Sequence, residues 1–121
     1  MEIKGTIVPN EDKWIYEWFG IDAVCPRDVQ KVIAEANGEP LSIEVNSGGG
    51  DMFSGNEIYY LLNQYPGETT ADIVGFAGSA ATIICCGANR VRAVPGALYM
   101  IHNVSGSAQG DHRVMTKQAG V

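Results

Sequence analysis

The sequence predicts a single α/β domain with mainly parallel strands. Segments in which apolar and polar residues alternate are followed, repeatedly, by segments that carry the spacing of an apolar helix face. This alternation is typical of β-α units, in which helices connect parallel strands. The 121 residues suffice for one modest hydrophobic core and are too few for two stable domains, so residues 1–121 are assigned to one domain.

The first part of the chain contains a strand and an aromatic segment. Glu2 to Val8 alternates apolar and polar residues and is closed by the Pro9-Asn10 turn, which predicts a strand that could form a sheet edge. Trp14 to Gly20 is dense in aromatic residues, and its pattern is ambiguous between a strand and a short helix. We expect these aromatic side chains to be buried rather than to form a ligand surface.

Two β-α units follow, each with a turn signal at its end. The predicted elements are a helix from Pro26 to the Asn37-Gly38 stop, a strand from Leu41 to Val45 that breaks at Gly48-Gly49-Gly50, a helix from Asp51 to Tyr65 with Asp51 as its N-cap, and a strand from Thr69 to Val74.

The last part of the chain repeats the pattern with shorter elements. Gly78 to Cys86 is small and apolar all round, as expected for a buried helix. Val91 to Val94 and Ala97 to Ile101 are predicted as strands around the Pro95-Gly96 turn, and Gly110-Asp111 could begin a final helix.

Three chemically distinctive groups come directly after predicted strands. They are the glycine run Gly48-Gly49-Gly50, Ser79 at the start of the small apolar helix, and His102. In parallel sheets, sites form at the carboxyl ends of the strands. We therefore expect the three groups to meet at one edge of the sheet.

These groups have the residue types that acyl transfer needs. A serine hydroxyl is a weak nucleophile until a base such as imidazole takes its proton, which makes Ser79 and His102 a candidate pair. The oxyanion formed by attack needs N–H donors, which the glycine run and the amide of Ala80 could supply. Each feature also has a structural alternative: Ser79 as a helix N-cap, His102 as a structural histidine, and the glycines as a turn.

Composition excludes several other classes. The net charge is −6 and no Lys/Arg cluster occurs, which argues against nucleic acid as a partner. The three cysteines suggest no disulfide framework, and no residue spacing suggests a metal site or a phosphate loop. The first residues lack a signal-peptide pattern and no apolar run is long enough to span a bilayer, so we expect a soluble cytoplasmic protein without a membrane partner or a cofactor.

The order and spacing of three sequence blocks resemble the ClpP serine peptidase family. The blocks are Asn46-Ser47-Gly48-Gly49-Gly50 followed by Gly55 and Ile58-Tyr59, Gly78-Ser79-Ala80-Ala81, and Met100-Ile101-His102-Asn103. The resemblance covers essentially the whole chain. It is strongest to the phage branch, the Clp-protease-like prohead or head-maturation proteases, whose opening segments are similar to Trp14-Ile15-Tyr16-Glu17-Trp18-Phe19-Gly20.

The resemblance implies a crotonase/ClpP-like fold and specific roles. Ser79 would be the nucleophile, His102 the general base, and the amides of Gly50 and Ala80 the oxyanion hole, with Gly48 and Gly49 as the supporting glycine run. Gly48 stands where housekeeping members often carry proline. The family's catalytic aspartate lies well downstream of the histidine, so no residue here is assigned that role and we expect the family domain to be incomplete at its C-terminus.

The resemblance also implies partners, and two other functions stay open. The expected function is a serine endopeptidase that acts on polypeptides as a homo-oligomeric ring, with an ATP-dependent unfoldase or phage capsid and scaffold proteins as partners. One alternative is a crotonase-type enzyme acting on acyl-CoA thioesters, which would not need Ser79 and His102 together. The other is a catalytically inactive, ring-forming assembly protein.

Overall fold

The structure is a computed structural model that describes residues 1–100. Its strands form one sheet in which every described pairing is parallel, in the order β2-β1-β3-β4-β5. The strand β6 also pairs with β4, next to the carboxyl end of β4 and after the part that pairs with β5. The elements are β1 Glu2–Ile7, α1 Lys13–Trp18, β2 Ala23–Val24, α2 Pro26–Ala36, β3 Leu41–Gly50, α3 Met52–Gln64, β4 Thr69–Gly78, α4 Ala80–Cys85, β5 Arg90–Ala93 and β6 Leu98–Met100. The predicted α/β class with parallel strands is confirmed.

The first strand lies inside the sheet. β1 pairs with β3 on one side and with the two-residue strand β2 on the other, so the expectation of an edge strand is wrong. A segment as short as Ala23–Val24 carries no periodicity, which is why the sequence did not reveal the strand that covers β1. Ile3 and Ile7 point into the core from β1 and are 0% and 1% exposed.

The aromatic segment forms a short helix at the surface. Trp14, Trp18 and Phe19 are 64%, 79% and 68% exposed, so the expectation that they are buried is wrong. The six residues of α1 contain no buried side chain. A run of aromatic residues indicates that burial would be favourable, but it does not show which element would cover them. No element within residues 1–100 covers these side chains.

An ion pair joins α1 to the start of α2. Lys13 Nζ lies 2.6 Å from Asp28 Oδ2, and the same carboxylate accepts the Cys25 N–H at 3.1 Å. Partial burial raises the pKa of Asp28, but the hydrogen bonds from Lys13 and Cys25 outweigh it and lower that pKa below its usual value. Burial lowers the pKa of Lys13, but the bond to Asp28 and its charge raise it overall.

The strands before α3 and α4 are longer than expected. β3 continues through the three glycines because, after a register shift, Gly49 and Gly50 pair with Thr6 and Ile7 of β1, so the predicted break at Gly48 is wrong. β4 likewise continues beyond Val74 to Gly78. Asp51 caps α3 as predicted, because its carboxylate accepts the Ser54 N–H at 2.9 Å.

The core lies between the sheet and the helices α2, α3 and α4. The prediction of a buried helix is confirmed, because α4 is covered on nearly every side by α3, β3 and β4. Large side chains that are 2% exposed or less fill this space: Ile3, Ile7, Val29, Ile43, Val45, Ile58, Leu62, Ile73 and Ile84. Packing of this density fixes the end of β4 and the start of α4, where Ser79 lies.

Some predicted elements fall beyond the described part of the chain. The strand predicted to end at Ile101 is seen as Leu98–Met100, while His102 and the helix predicted from Gly110 lie outside the described residues. No helix within residues 1–100 has both the length and the apolar character needed to cross a bilayer.

Candidate active site around Ser79

Ser79 occupies a sharp turn between β4 and α4. Its backbone has φ 51° and ψ −122°, and the only other non-glycine residue with positive φ in the described chain is Asn37. Such a conformation is uncommon for a residue with a Cβ and costs about 1–3 kcal/mol, so the surrounding packing must impose it. The packing around the turn thus holds Ser79 at the carboxyl end of β4 despite this cost.

The Ser79 side chain does not cap the helix. The residue stands at the N-cap position of α4, yet its hydroxyl makes no capping hydrogen bond, which contradicts the helix-cap alternative. The turn is held instead by Ser79 O, which accepts the Thr82 N–H at 3.0 Å and the Thr82 hydroxyl at 2.6 Å. The Ser79 hydroxyl is thereby left for other partners.

The hydroxyl of Ser79 meets the first residue of α3. Ser79 Oγ donates to Met52 Sδ across 3.7 Å, and Ser79 is half-buried whereas Met52 is 45% exposed. A thioether sulfur is a weak acceptor, so this contact orients the hydroxyl without binding it strongly. Met52 could not be identified from the sequence, because a methionine at a helix start suits packing equally well.

The glycine run packs directly against this turn. A Cβ on Gly49, whose φ is +105°, would lie 2.7 Å from Ser79 Cβ, 2.8 Å from Gly78 O and 3.0 Å from Ala80 N. Only glycine permits this approach, because the neighbours are mostly backbone atoms. The structure thus brings together two of the three groups that the sequence placed at strand ends.

A buried serine fixes the position of the run. Ser47 is 3% exposed, donates its hydroxyl to Gly5 O at 2.6 Å and accepts the Gly49 N–H at 3.1 Å. The sheet register shifts between Val45 and Ser47, which carries Gly49 to the level of Ser79. Ser47 is a supporting residue that sequence reasoning missed, although a hydroxyl directly before three glycines could have suggested a role in holding them.

The other predicted donors are placed by their neighbours. Gly50 lies opposite Ile7, with its backbone so close to Ile7 that a Cβ could not be accommodated. Ala80 is fully buried, and a Cβ on Gly55 would lie 2.9 Å from Ala80 Cβ, which shows how closely α3 and α4 meet here. Gly48 is exposed beside the ring of Phe76.

The candidate base lies outside the described residues. The last described residue, Met100, is paired with Gly78, the residue directly before Ser79. His102 follows Met100 by two positions in the sequence. The roles of His102, Gly50 and Ala80 remain predictions.

The described residues give no indication of metal chemistry at this turn. Within residues 1–100, no three His, Cys, Asp or Glu side chains are grouped so that they could hold an ion. Cys85 lies on α4 near the turn, but burial raises the pKa of its thiol to about 12, so it is not a thiolate at neutral pH. The chemical group that the turn presents is the Ser79 hydroxyl.

The fold and site define a class of α/β protein in which a candidate serine nucleophile stands on a strained strand-to-helix turn at the carboxyl ends of parallel strands. The Clp protease family model matches residues 28–120, and the chain belongs to that family.

Two relatives support this assignment, and both are longer proteins. The ATP-dependent Clp protease proteolytic subunit of Chlorella vulgaris is 35% identical over 79 residues, which cover 64% of this chain and 39% of the relative. The subunit of the same name from Oltmannsiellopsis viridis is 32% identical over 79 residues, covering 64% of this chain and 40% of the relative. The matched segment thus spans about two fifths of each relative.

Solved structures share the fold at low sequence identity. ClpP1 from Listeria monocytogenes has a TM-score of 0.67 and 23% identity, covering 97% of this chain and 63% of that one. A mutant of the membrane-bound stomatin-specific protease 1510-N has a TM-score of 0.57 and 22% identity, covering 83% and 44% respectively. These likenesses support the crotonase/ClpP-like fold.

Proposed function

We propose that residues 1–121 form a ClpP-like peptidase domain that hydrolyses peptide bonds through an acyl-enzyme on Ser79. The observation that carries this proposal is the contact between Gly49 and the strained Ser79 turn. The glycine run packs against a serine whose hydroxyl caps no helix, and acyl transfer needs a nucleophile with backbone N–H donors beside it. Membership of the Clp protease family supports the same reaction.

In the proposed mechanism, Ser79 Oγ attacks the substrate carbonyl carbon while His102 accepts the hydroxyl proton. The N–H groups of Gly50 and Ala80 stabilise the oxyanion, and His102 then returns the proton to the leaving amine. Water, activated by the same imidazole, hydrolyses the ester in the second half of the reaction. The mechanism uses side chains, backbone amides and water, and no cofactor enters it.

Sheet register supports His102 as the base. Met100 is level with Gly78, and two residues of extended chain span at most about 7 Å. That reach is enough to bring an imidazole to the Ser79 hydroxyl. No residue of the sequence is assigned as the acid that orients the imidazole, and loss of such an acid costs about 10⁴ in kcat in serine proteases.

A fluorophosphonate probe tests the proposal, because it forms a covalent bond only with an activated serine. We expect one label per chain, located at Ser79 by peptide mass mapping and abolished in Ser79→Ala. Alanine keeps the Cβ, so this variant keeps the backbone conformation of the turn. The matched control is Ser42→Ala, at an exposed serine of β3, which should keep the label. A folded protein that takes no label, or a label that survives Ser79→Ala, would contradict the assignment.

We further propose that the protein belongs to the phage-related branch, acts in the cytoplasm as a homo-oligomeric ring, and processes capsid or scaffold polypeptides, with an unfoldase as an alternative partner. The aromatic opening from Trp14 to Gly20 supports the phage branch. Native mass spectrometry should find a ring, and incubation with a capsid precursor should give discrete products that Ser79→Ala does not give. A monomer without processing would refute this finer role.

The exposed aromatic side chains favour one second candidate, an inactive assembly protein with the same fold. Trp14, Trp18 and Phe19 are each more than half exposed, as residues of an interface between subunits are before assembly. The two functions separate in the same experiment. An assembled ring with an unlabelled Ser79 indicates assembly alone, whereas a labelled Ser79 indicates the peptidase.

A further inference from the structure

Met52 is the sulfur-containing residue that faces the candidate nucleophile. It opens α3 directly after the Asp51 cap, and its Sδ accepts the Ser79 hydroxyl at 3.7 Å. The residue is 45% exposed, so small solutes can approach its side chain while the sulfur remains against Ser79.

Two of the other sulfur groups are shielded. Cys25 and Cys85 are buried, at 3% and 0% exposure. Burial also raises the pKa of the Cys85 thiol to about 12, which leaves almost no thiolate to react with an oxidant. A thioether needs no deprotonation to react, so the exposed Met52 is open to oxidants that these thiols resist.

We propose that Met52 is an oxidation site through which a peroxide slows the reaction of Ser79, an inference that rests on the proposed function of Ser79. The sulfur lone pair of Met52 attacks the hydroxyl oxygen of the peroxide and the O–O bond breaks with its electron pair going to the second oxygen. The proton of the attacked oxygen passes to the second oxygen, which leaves as water from hydrogen peroxide or as an alcohol from an alkyl hydroperoxide. The thioether is oxidised to a sulfoxide while the peroxide is reduced.

The sulfoxide changes the hydrogen bonding of Ser79. Its oxygen is a far stronger acceptor than the thioether sulfur, and O–H···O bonds form at about 2.7–2.8 Å. The Ser79 hydroxyl then donates to the oxidised Met52 instead of to the general base. One additional net hydrogen bond in the resting state corresponds to a reaction about five-fold slower. Enzymatic reduction of the sulfoxide restores the thioether, so the change is reversible.

The experiment measures the fluorophosphonate labelling rate of Ser79 before and after treatment with hydrogen peroxide. Peptide mapping should show one added oxygen on Met52, and the labelling rate should fall about five-fold, the effect of one net hydrogen bond. A methionine sulfoxide reductase should restore the rate, whereas a thiol reductant should not. In Met52→Leu, treated and untreated protein should label at the same rate, whatever that rate is.

A second readout does not depend on catalysis. With ¹³C-labelled methionine methyl groups, the Met52 signal is assigned by its loss in Met52→Leu, and its position after oxidation is compared between wild type and Ser79→Ala. A difference between the two oxidised proteins supports the bond from Ser79 to the sulfoxide.

Several outcomes would overturn the inference. Met52 left unoxidised, a full labelling rate after oxidation, or an equal rate loss in Met52→Leu would each do so. If untreated protein is never labelled, the proposed function fails instead. In that case, identical signals of oxidised Met52 in wild type and Ser79→Ala would also reject the hydrogen bond from Ser79 to the sulfoxide, and with it the proposed effect of oxidation.

Discussion

Replacing Gly49 by alanine tests the contact on which the candidate site depends. The new Cβ would lie 2.7 Å from Ser79 Cβ, 2.8 Å from Gly78 O and 3.0 Å from Ala80 N. Two of these three atoms belong to the backbone and the third is fixed to it, so no flexible side chain can move away. The turn that carries Ser79 must shift, or β3 must separate from it.

Two costs add in this variant. A residue with a Cβ at φ +105° is strained by about 1–3 kcal/mol, and overpacking of a close contact costs about 1–3 kcal/mol. Together they predict a loss of about 2–6 kcal/mol in the free energy of unfolding. A urea m-value of about 2 kcal/mol/M, the middle of the usual range for small proteins, converts this into a midpoint lower by about 1–3 M.

Urea unfolding monitored by circular dichroism measures the loss, and fluorophosphonate labelling measures the displacement of Ser79. The matched control is Gly48→Ala in the same run, where the Cβ would make an ordinary contact of 3.8 Å with Phe76 Cε2. We expect that variant to stay within about 0.5 kcal/mol of wild type, as ordinary surface substitutions do. If Gly49→Ala matched wild type in both midpoint and labelling, the close approach of the glycine run would be refuted.

Three further predictions concern stability and reactivity. Asp28→Asn should lower the free energy of unfolding at neutral pH by about 1 kcal/mol, a small effect because the carboxylate is 44% exposed and solvent screens its pair with Lys13. Folding lowers the pKa of Asp28 below its usual 3.8, so the contribution of this carboxylate to stability is present above pH 3.8 and is lost as pH falls through the folded-state pKa. The free energy of unfolding should therefore fall less steeply with acid in Asp28→Asn than in wild type. Equal slopes would count against the ion pair. Cys85, whose pKa is raised to about 12, should resist alkylation at mildly alkaline pH in folded protein and react in urea, as peptide mass mapping can check; rapid modification of the folded chain would disprove its burial. Ile58→Ala should cost about 2–5 kcal/mol in urea unfolding because the side chain is fully buried, whereas Tyr60→Ala, at a 59% exposed position of the same helix, should cost far less; similar losses would refute the assignment of faces on α3.

Periodicity predicted the elements that are decided by burial. The alternation of Leu41, Ile43 and Val45 and the spacing of Ile58 and Leu62 correspond to the buried faces of β3 and α3. The Asp51 cap was also predictable, because its carboxylate needs only the N–H groups of the first helical turn. These features depend on neighbours close in sequence.

Features set by pairing with distant segments were not predictable. β3 runs through its glycines because β1 lies alongside and pairs with Gly49 and Gly50, which outweighs the low strand propensity of glycine. For the same reason the sequence placed the glycine run and Ser79 at one edge of the sheet but could not identify Gly49 as the residue in contact. That choice follows from the register shift after Val45, which no local pattern encodes.

The aromatic residues of α1 show a different limit. Hydrophobicity predicts that burial of Trp14 and Trp18 is favourable, but it does not predict whether the residues that bury them belong to the same chain. In the structure they are 64% and 79% exposed, so their pattern is informative about interactions rather than about the core.

The positive φ of Ser79 sets folding against the proposed hydrolysis at one position. Glycine adopts φ 51° without strain, so on backbone energetics Ser79→Gly should recover part of the about 1–3 kcal/mol that the serine costs, while removing the hydroxyl. A population of variants selected only for resistance to unfolding would therefore accumulate glycine at this position, and one selected for hydrolysis would retain serine. Serine at this position is therefore the residue that selection for the proposed hydrolysis would retain at a cost in stability.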